Sequence, residues 1–552
     1  SWASAVAGGR LEPAFLARAF PPTDLGEVEE VLADLAREGW LEPSGERYRF
    51  ANPAYRDVAY RTTSEERRAR LHRMVARAFE QAGEGDLESA FQRAFHLRRA
   101  GEHTALVTLV EQLLPTLEAQ TSPLRLQRIT RWALEALDEA DLDERRADLE
   151  RTLLERGART AQQLGDRKLQ RRYLDRLADL PSGADEARNT AVLYQLHGEY
   201  ALSIGDFGLA RGMLRGATEF GGRAPASGVL AAALRGRALI EAEFDELREA
   251  RELAARALAE AGSSVDRARA LLVSGRIELL DDWIERAAAD VAEALTELRE
   301  GDRSQPAVRS IAYLIRGRIL RCSGRPVRAL AAIRHALSLA RESEERGREV
   351  ELAARLGWLL IDAGRLQEAE SWLRDAQLAA EEVEDQRATV LCDLWLRILM
   401  WEQQIAGARS RIHRALDLAS DIGFHRAEAV GRAVRARIDA RQGDLVAAAV
   451  QAERAADLVQ EHGAELSDRI VVLGTRALID DLRGDIGASR AAAESLLDRL
   501  ETAEDMGEGL IEAVEMALVF HHGRAGEVVE PVHVIGHEAR GHPFEKTQVF
   551  AE

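Results

Sequence analysis

The strongest constraint on how this chain can fold is a spacing between small residues. A Gly, Ala or Leu is followed twelve positions later by an alanine: Gly198 with Ala210, Gly275 with Ala287, Gly317 with Ala329, Gly357 with Ala369, Leu396 with Ala408, and Ala436 with Ala448. In most copies a large apolar residue comes four places after the alanine (Leu214, Val291, Ile333, Leu373, Ile412). A second alanine follows three places later (Ala217, Ala294, Ala336, Ala376, Ala415). Steps of three and four keep residues on one face of a helix. Two antiparallel helices approach closely only where the facing side chains are small and larger ones fill the space beside them. A short polar turn recurs between helical stretches: Gly205-Asp206-Phe207, Ser323-Gly324-Arg325, Ala363-Gly364-Arg365, Gln442-Gly443-Asp444 and Arg483-Gly484-Asp485. The pattern predicts helical hairpins stacked in tandem, an all-α fold.

Composition fits helices packed through small side chains: 46% hydrophobic and 31% charged residues, but only 5% aromatic and 13 prolines in 552 residues. A formal net charge of −19 argues against general nucleic-acid binding, which needs a basic footprint, so nucleic acid is not expected as a partner. Of 75 basic residues only Lys168 and Lys546 are lysine, so any arginine pattern stands on a high background. Cys322 and Cys392 are too few for a disulfide framework or a zinc site, which fits a reducing, cytoplasmic setting. No run of about 18 apolar residues predicts a membrane span. The start, Ser1-Trp2-Ala3, has neither a signal peptide's basic region nor an initiator Met, and the chain reads as part of a longer protein.

Over residues 150–505 the small–small–large–small pattern resembles the tetratricopeptide repeat. It departs from that family in two ways. The anchor alanines from Ala287 to Ala448 are spaced 42, 40, 39 and 40 apart, against about 34 in the standard repeat, and the usual closing proline is missing. The stretch around Gly236 keeps the pattern only with a two-residue shift (Ala250, Ala254, Ala257), and that around Ala477 is degenerate. The resemblance implies a right-handed helical-repeat superhelix of about nine stretched repeats, wider than usual.

The first eighty residues differ. Helices are expected over 11–20 and 26–38, then two short strands, Trp40-Leu41-Glu42-Pro43 and Tyr48-Arg49-Phe50, around the turn Ser44-Gly45. A basic amphipathic helix follows over 64–80. Helix, helix, hairpin is a winged-helix outline, a small α+β unit. Its wording is similar to the segment after the NTPase core in bacterial signal-transduction ATPases with numerous domains, including large LuxR-type regulators and kinase–ATPase fusions. The carrying residues are Leu32-Ala33-Asp34-Leu35-Ala36-Arg37-Glu38-Gly39-Trp40-Leu41, Tyr48-Arg49-Phe50-Ala51-Asn52-Pro53 and Arg70-Leu71-His72-Arg73. Phe95-His96-Leu97-Arg98-Arg99-Ala100-Gly101-Glu102 resembles that family's first helical hairpin. Four parts are expected: a winged-helix-like adaptor at 1–82, a helical connector at 83–150, the solenoid at 151–505, and a terminal helix and tail at 506–552. The helix that would enter a DNA groove carries Glu27, Glu29, Glu30, Asp34 and Glu38 against Arg37 alone, which phosphates would repel. A packing role between ATPase and repeats is therefore favoured over a DNA-binding transcriptional regulator.

No catalytic residue, cofactor or metal is expected. Lys168 and Lys546 follow Arg167 and Glu545 rather than the glycine of a P-loop, and no Gly-x-Ser-x-Gly elbow occurs. His533, His537-Glu538 and His542 suggest a zinc hydrolase as an alternative. However, the last two histidines are five apart, not the four that place both on one helical face, and Gly536, Gly541 and Pro543 disfavour a helix.

In tetratricopeptide arrays the first helix of each pair lines the concave face, and the resemblance implies that the residue after the Gly position points into the groove. Here those residues are Glu199, Arg237, Arg276, Arg318, Trp358, Arg397, Arg437 and Leu478. The candidate ligand-binding set is Arg237, Arg276, Arg318, Trp358, Arg397, Trp401 and Arg437. A guanidinium ladder suits a protein or acidic peptide partner, or a phosphorylated one, through bidentate contacts. The competing reading is that the arginines pair with acids on neighbouring helices and staple the array. Trp372 and Trp395 are expected in the core. By resemblance, partner capture in the groove would control an upstream ATPase or kinase domain of the same polypeptide.

Overall fold

A computed structural model of the chain describes residues 11–492 apart from 22–23, 83–85, 121, 143–144, 182–184, 224–226, 245, 282, 301–304, 403–407 and 463–465. From residue 146 it is a series of antiparallel helix pairs. Arg146–Leu164 pairs with Arg167–Ala178, Glu186–Ile204 with Phe207–Gly221, Ser227–Glu243 with Leu247–Ala259, and Ser264–Leu280 with Ile284–Glu300. Pro306–Cys322 then pairs with Pro326–Glu342, Arg346–Asp362 with Leu366–Glu382, Gln386–Glu402 with Ala408–Asp421, and His425–Arg441 with Leu445–His462. Leu466–Leu482 begins a ninth pair. First helices start 37 to 42 residues apart, the stretched unit that the alanine spacing predicts.

The contacts explain the spacing. Ala210, Ala287, Ala329, Ala369 and Ala448 are all fully buried, as are Leu214, Ile333 and Leu373 four places on. A methyl group on Gly317 would stand 2.6 Å from Ile333 and 3.5 Å from the Ala329 carbonyl. One on Gly198 would stand 2.6 Å from Leu214. The glycine thus makes room for the large residue of the second helix, not only for its alanine. The Gly-Asp turns do two jobs. Gly205 takes φ +84°, the left-handed stop that favours glycine, and Asp206 accepts from the Leu209 N–H at 2.9 Å to start the next helix. Gly165-Asp166, Gly443-Asp444 and Gly484-Asp485 repeat the device.

At the N-terminal end, helices Pro13–Ala19 and Leu25–Arg37 precede an antiparallel hairpin of Leu41–Ser44 and Arg47–Phe50, with Leu41 opposite Phe50. Helices Pro53–Arg61 and Glu65–Ala82 follow. Leu11, Phe15, Leu16, Leu32, Leu41 and Phe79 are buried together in one core. The next cluster runs from Ala76 through helices Leu87–Ala100, His103–Gln120 and Pro123–Leu137 to Leu196. Its apolar contacts therefore cross residue 150 without a break.

The superhelix also comes round on itself. A methyl on Gly165, in the first pair's turn, would lie 2.9 Å from Val383, between the sixth and seventh pairs. One on Gly205 would lie 2.9 Å from Ile422, between the seventh and eighth. Arg167 lies 3.8 Å from Asp385, Lys168 2.6 Å from Glu384, and the Leu124 N–H donates to Glu344 at 3.3 Å. Glu344 and Glu384 are the non-glycine residues with positive φ (+55° and +53°) among the described residues. Their side chains reach across the seam, where glycine would have none.

Candidate functional site

Closure brings distant first helices around a common lumen. Its centre is Glu243, the last residue of Ser227–Glu243 and nearly buried, at 11% side-chain exposure. Arg276 of the fourth pair donates to it at 2.7 Å. Arg387 of the seventh pair lies 3.8 Å away and Arg426 of the eighth 4.0 Å. Arg426 also donates to the Ala242 carbonyl at 2.9 Å. Burial pushes the Glu243 carboxyl up, but the fields of Arg426, Arg387, Arg276 and Arg318 outweigh it and hold the group at about 2. Burial, together with the Arg318 and Arg387 charges, pulls the Arg276 guanidinium down to about 10 against the pull of Glu243.

A cavity of about 60 Å³ opens beside these groups, with Arg276, Arg318, Arg355, Arg387 and Arg426 on its walls against the acids Glu243 and Asp468. Arg355 is bonded to Glu351 at 3.3 Å. A larger cleft of about 580 Å³ along the seam shares Glu243, Phe424 and Arg426 with it. The Arg387 guanidinium stands 5.0 Å from the Phe207 ring and 4.6 Å from Phe424, so aromatic faces support a cation whose charge also reaches Glu351 and Asp385.

The candidates chosen from the sequence divide. Arg276, Arg318 and Trp358 line the cavity. Arg237 does not: it is bonded to Glu249, to Thr218 at 3.3 Å, and lies 3.7 Å from the fully buried Glu241. Arg397 is bonded to Asp393 four residues back at 2.5 Å, and to the Met400 sulfur. Arg237 thus bridges to the next helix, as the stapling reading has it, whereas Asp393 and Met400 lie in the same helix as Arg397. Arg437 is half-buried and lies outside the cavity wall. The Trp401 side chain lies outside the described residues, as do His533, His537 and His542. Trp358 is no bare anchor. Trp395 stacks on it at 4.2 Å and 16°, and the Arg321 guanidinium lies 3.6 Å from its centroid, so both faces are covered. Trp395 is buried, as expected, yet also lines the cavity; Trp372 is half-buried against the fifth and sixth pairs.

Glu243, Arg355, Arg387 and Arg426 escape a reading that fixes one position per repeat. Arg387 and Arg426 each stand second in their helix, and that recurrence was the available signal. Among the described residues no cluster of His, Cys, Asp or Glu is arranged to hold a metal, and no helix is long and apolar enough to cross a membrane. Both cysteines are buried and unbridged.

No protein-family pattern and no curated protein matches the chain. Solved structures similar to it are helical-repeat proteins. A Rap protein complexed with competence and sporulation factor aligns at 14% identity and TM-score 0.49 over 64% of this chain and 98% of its own. A signal transduction ATPase with numerous domains, carrying a tetratricopeptide repeat sensor, from Pyrococcus horikoshii aligns at 13% and 0.35, over 94% of this chain and 65% of its own. The APC/C hetero-tetramer Cut9-Hcn1 aligns at 12% and 0.40, over 84% and 98%. At these scores none of them lends its ligand or activity to this chain.

Proposed function

We propose that this chain is the non-catalytic sensing or scaffold region of a larger bacterial cytoplasmic signalling regulator, and that it captures an acidic protein or peptide segment on its concave face. The tetratricopeptide-like array, taken as right-handed, is the binding element. The winged-helix-like adaptor at 1–82 and the connector at 83–150 transmit occupancy to an upstream ATPase or kinase domain. The observation that supports this reading is the surplus of arginine on the inner face, drawn from first helices of the fourth to eighth pairs. Acidic residues of a partner would find there guanidinium groups already desolvated and oriented. Concave repeat surfaces suit extended partners because each pair presents the same face in turn.

The test is fluorescence anisotropy of the full chain against matched acidic, neutral and basic peptides at two salt concentrations. Acidic peptides should bind, more weakly at high salt, and R276E with R318E should reduce that binding by more than about tenfold. Equal affinity for all three peptide classes would refute the reading. The exposed Glu27, Glu29 and Glu30 on helix Leu25–Arg37 give no support to a DNA-binding alternative.

A further inference from the structure

We infer that the lumen cavity beside Glu243 is a binding site for a single oxyanion group, a carboxylate or a phosphate, held by Arg276, Arg387 and Arg426 and assembled only because the superhelix closes. The inference deepens the reading above by naming the point at which an acidic ligand would be gripped.

The argument begins with charge. Five arginines and two acids line the cavity. Arg355 already bonds Glu351, whereas Arg276, Arg387 and Arg426 converge on the one carboxylate of Glu243 at 2.7, 3.8 and 4.0 Å. One carboxylate has two oxygens and cannot give three guanidiniums a bidentate partner. Two of the three therefore stand at ion-pair distance rather than in short hydrogen bonds. The Arg426 Nε is buried with no hydrogen-bond partner, although its neighbouring nitrogens meet Ala242 and Glu243. A buried unsatisfied donor on a cation is costly unless something fills the place.

Geometry adds the second strand. The groups come from the third, fourth, seventh and eighth pairs, so no short piece of the array contains the site. The cavity, at about 60 Å³, is larger than the minimum of about 15 Å³ needed for one water, and the seam cleft that shares Glu243 and Arg426 offers an approach. The surrounding apolar surface of Trp395, Phe424 and Val430 lowers the local dielectric, which strengthens a guanidinium–oxyanion contact once formed. The site is thus small, cationic and polar on one wall, apolar on the other.

The experiment is calorimetric titration of the full chain with inorganic phosphate and, separately, acetate, each at constant ionic strength set with chloride. Saturable one-site binding of at least one of them is expected, weakened about tenfold or more in R387Q/R426Q and retained in large part by R387K/R426K. Binding of phosphate alone assigns the site to a phosphoryl group; binding of both assigns it to carboxylates as well. If the glutamine variant unfolds, wild-type protection carries the test: phosphate should raise the melting temperature above the matched chloride control. Absence of saturable binding, or binding that the glutamine variant leaves unchanged, would overturn the proposal. Acidic peptides that bind the chain but are not displaced by phosphate would overturn this site and leave the broader reading standing. Phosphate binding without acidic-peptide binding would do the reverse.

Discussion

Glu241 and Glu243 stand two residues apart on helix Ser227–Glu243, and both face arginines, but they do different work. Glu241 is fully buried and is held by Arg211 at 2.5 Å, Arg215 at 3.1 Å and Arg237 at 3.7 Å, all from the same helix or the one before it. Its partners are local, and the cluster staples the second pair to the third. Glu243 meets Arg276, Arg387 and Arg426, the last two from pairs four and five repeats further along. Its cluster exists only in the closed superhelix. The lesson is that arginine abundance says little until each guanidinium's partner is known: partners from one helix and the next make a staple, and partners from distant pairs make a junction.

The largest expected effect falls on the local staple. E241Q leaves three guanidiniums facing one another around a buried amide and should cost about 3 kcal/mol, read as a lower urea midpoint. E243Q should cost less, because Glu243 keeps 11% side-chain exposure where Glu241 has none, and Glu243 and Arg426 line the seam cleft. It should instead expand the particle, measured by small-angle X-ray scattering. An E243Q loss exceeding that of E241Q would break the comparison. Next comes G357A. A methyl there meets the fully buried Leu373, and overpacking should cost about 1–3 kcal/mol in the same unfolding assay.

Acid separates the regions further. Glu243, held at about 2, is ionised in the folded protein well below the usual carboxylate range. Its contribution is present above about pH 4.5 and is lost only as the pH falls through about 2. At the N-terminal joint, His72 and His96 are buried with their Nδ1 atoms 2.8 Å apart, and the Tyr60 hydroxyl lies 3.0 Å from His72 Nε2. Burial lowers His72 to about 4, helped by the Arg99 and Arg68 charges, and lowers His96 to about 3, helped by His72. The unfolded chain binds protons more readily there, so stability falls as pH drops below about 6.5, by up to about 1.4 kcal/mol per pH unit for each ring kept neutral. Melting curves from pH 7 to 5 should show this fall, and H96F should remove much of it while the Glu243 cluster stays closed. The smallest effect is expected of E384G, which relieves a left-handed strain of about 1 kcal/mol but gives up the solvent-screened ion pair with Lys168. Its melting temperature should stay within a few degrees of wild type, and a large drop would mean that the seam is stronger than its contacts suggest.

Much of the fold was legible because its rules are short-range. The twelve-residue step from Gly317 to Ala329 and the four-residue step to Ile333 describe one hairpin, and both sides of that contact lie within one repeat. The Gly-Asp turns are equally local: a left-handed stop followed at once by a cap. The arginines were legible only as a list. Arg237 and Arg276 hold the same place after the Gly position, yet one is bonded to Glu249 and the other points at Glu243. The difference lies in which acid the next helices present, and no single-position register contains that.

By itself the sequence determined the helices, their pairing, the length of the repeat and the turns, because helix propensity, small-residue packing and capping act over a few to a few dozen residues. That Val383 meets Gly165, that Ile422 meets Gly205, and that Glu243 gathers arginines from the far side of the superhelix emerges only once the whole array is assembled. Those contacts depend on a small rotation between neighbouring pairs added up over several repeats. A slight change in that rotation moves the distant turns past one another, so the lumen and its charge are properties of the whole array and of no segment within it.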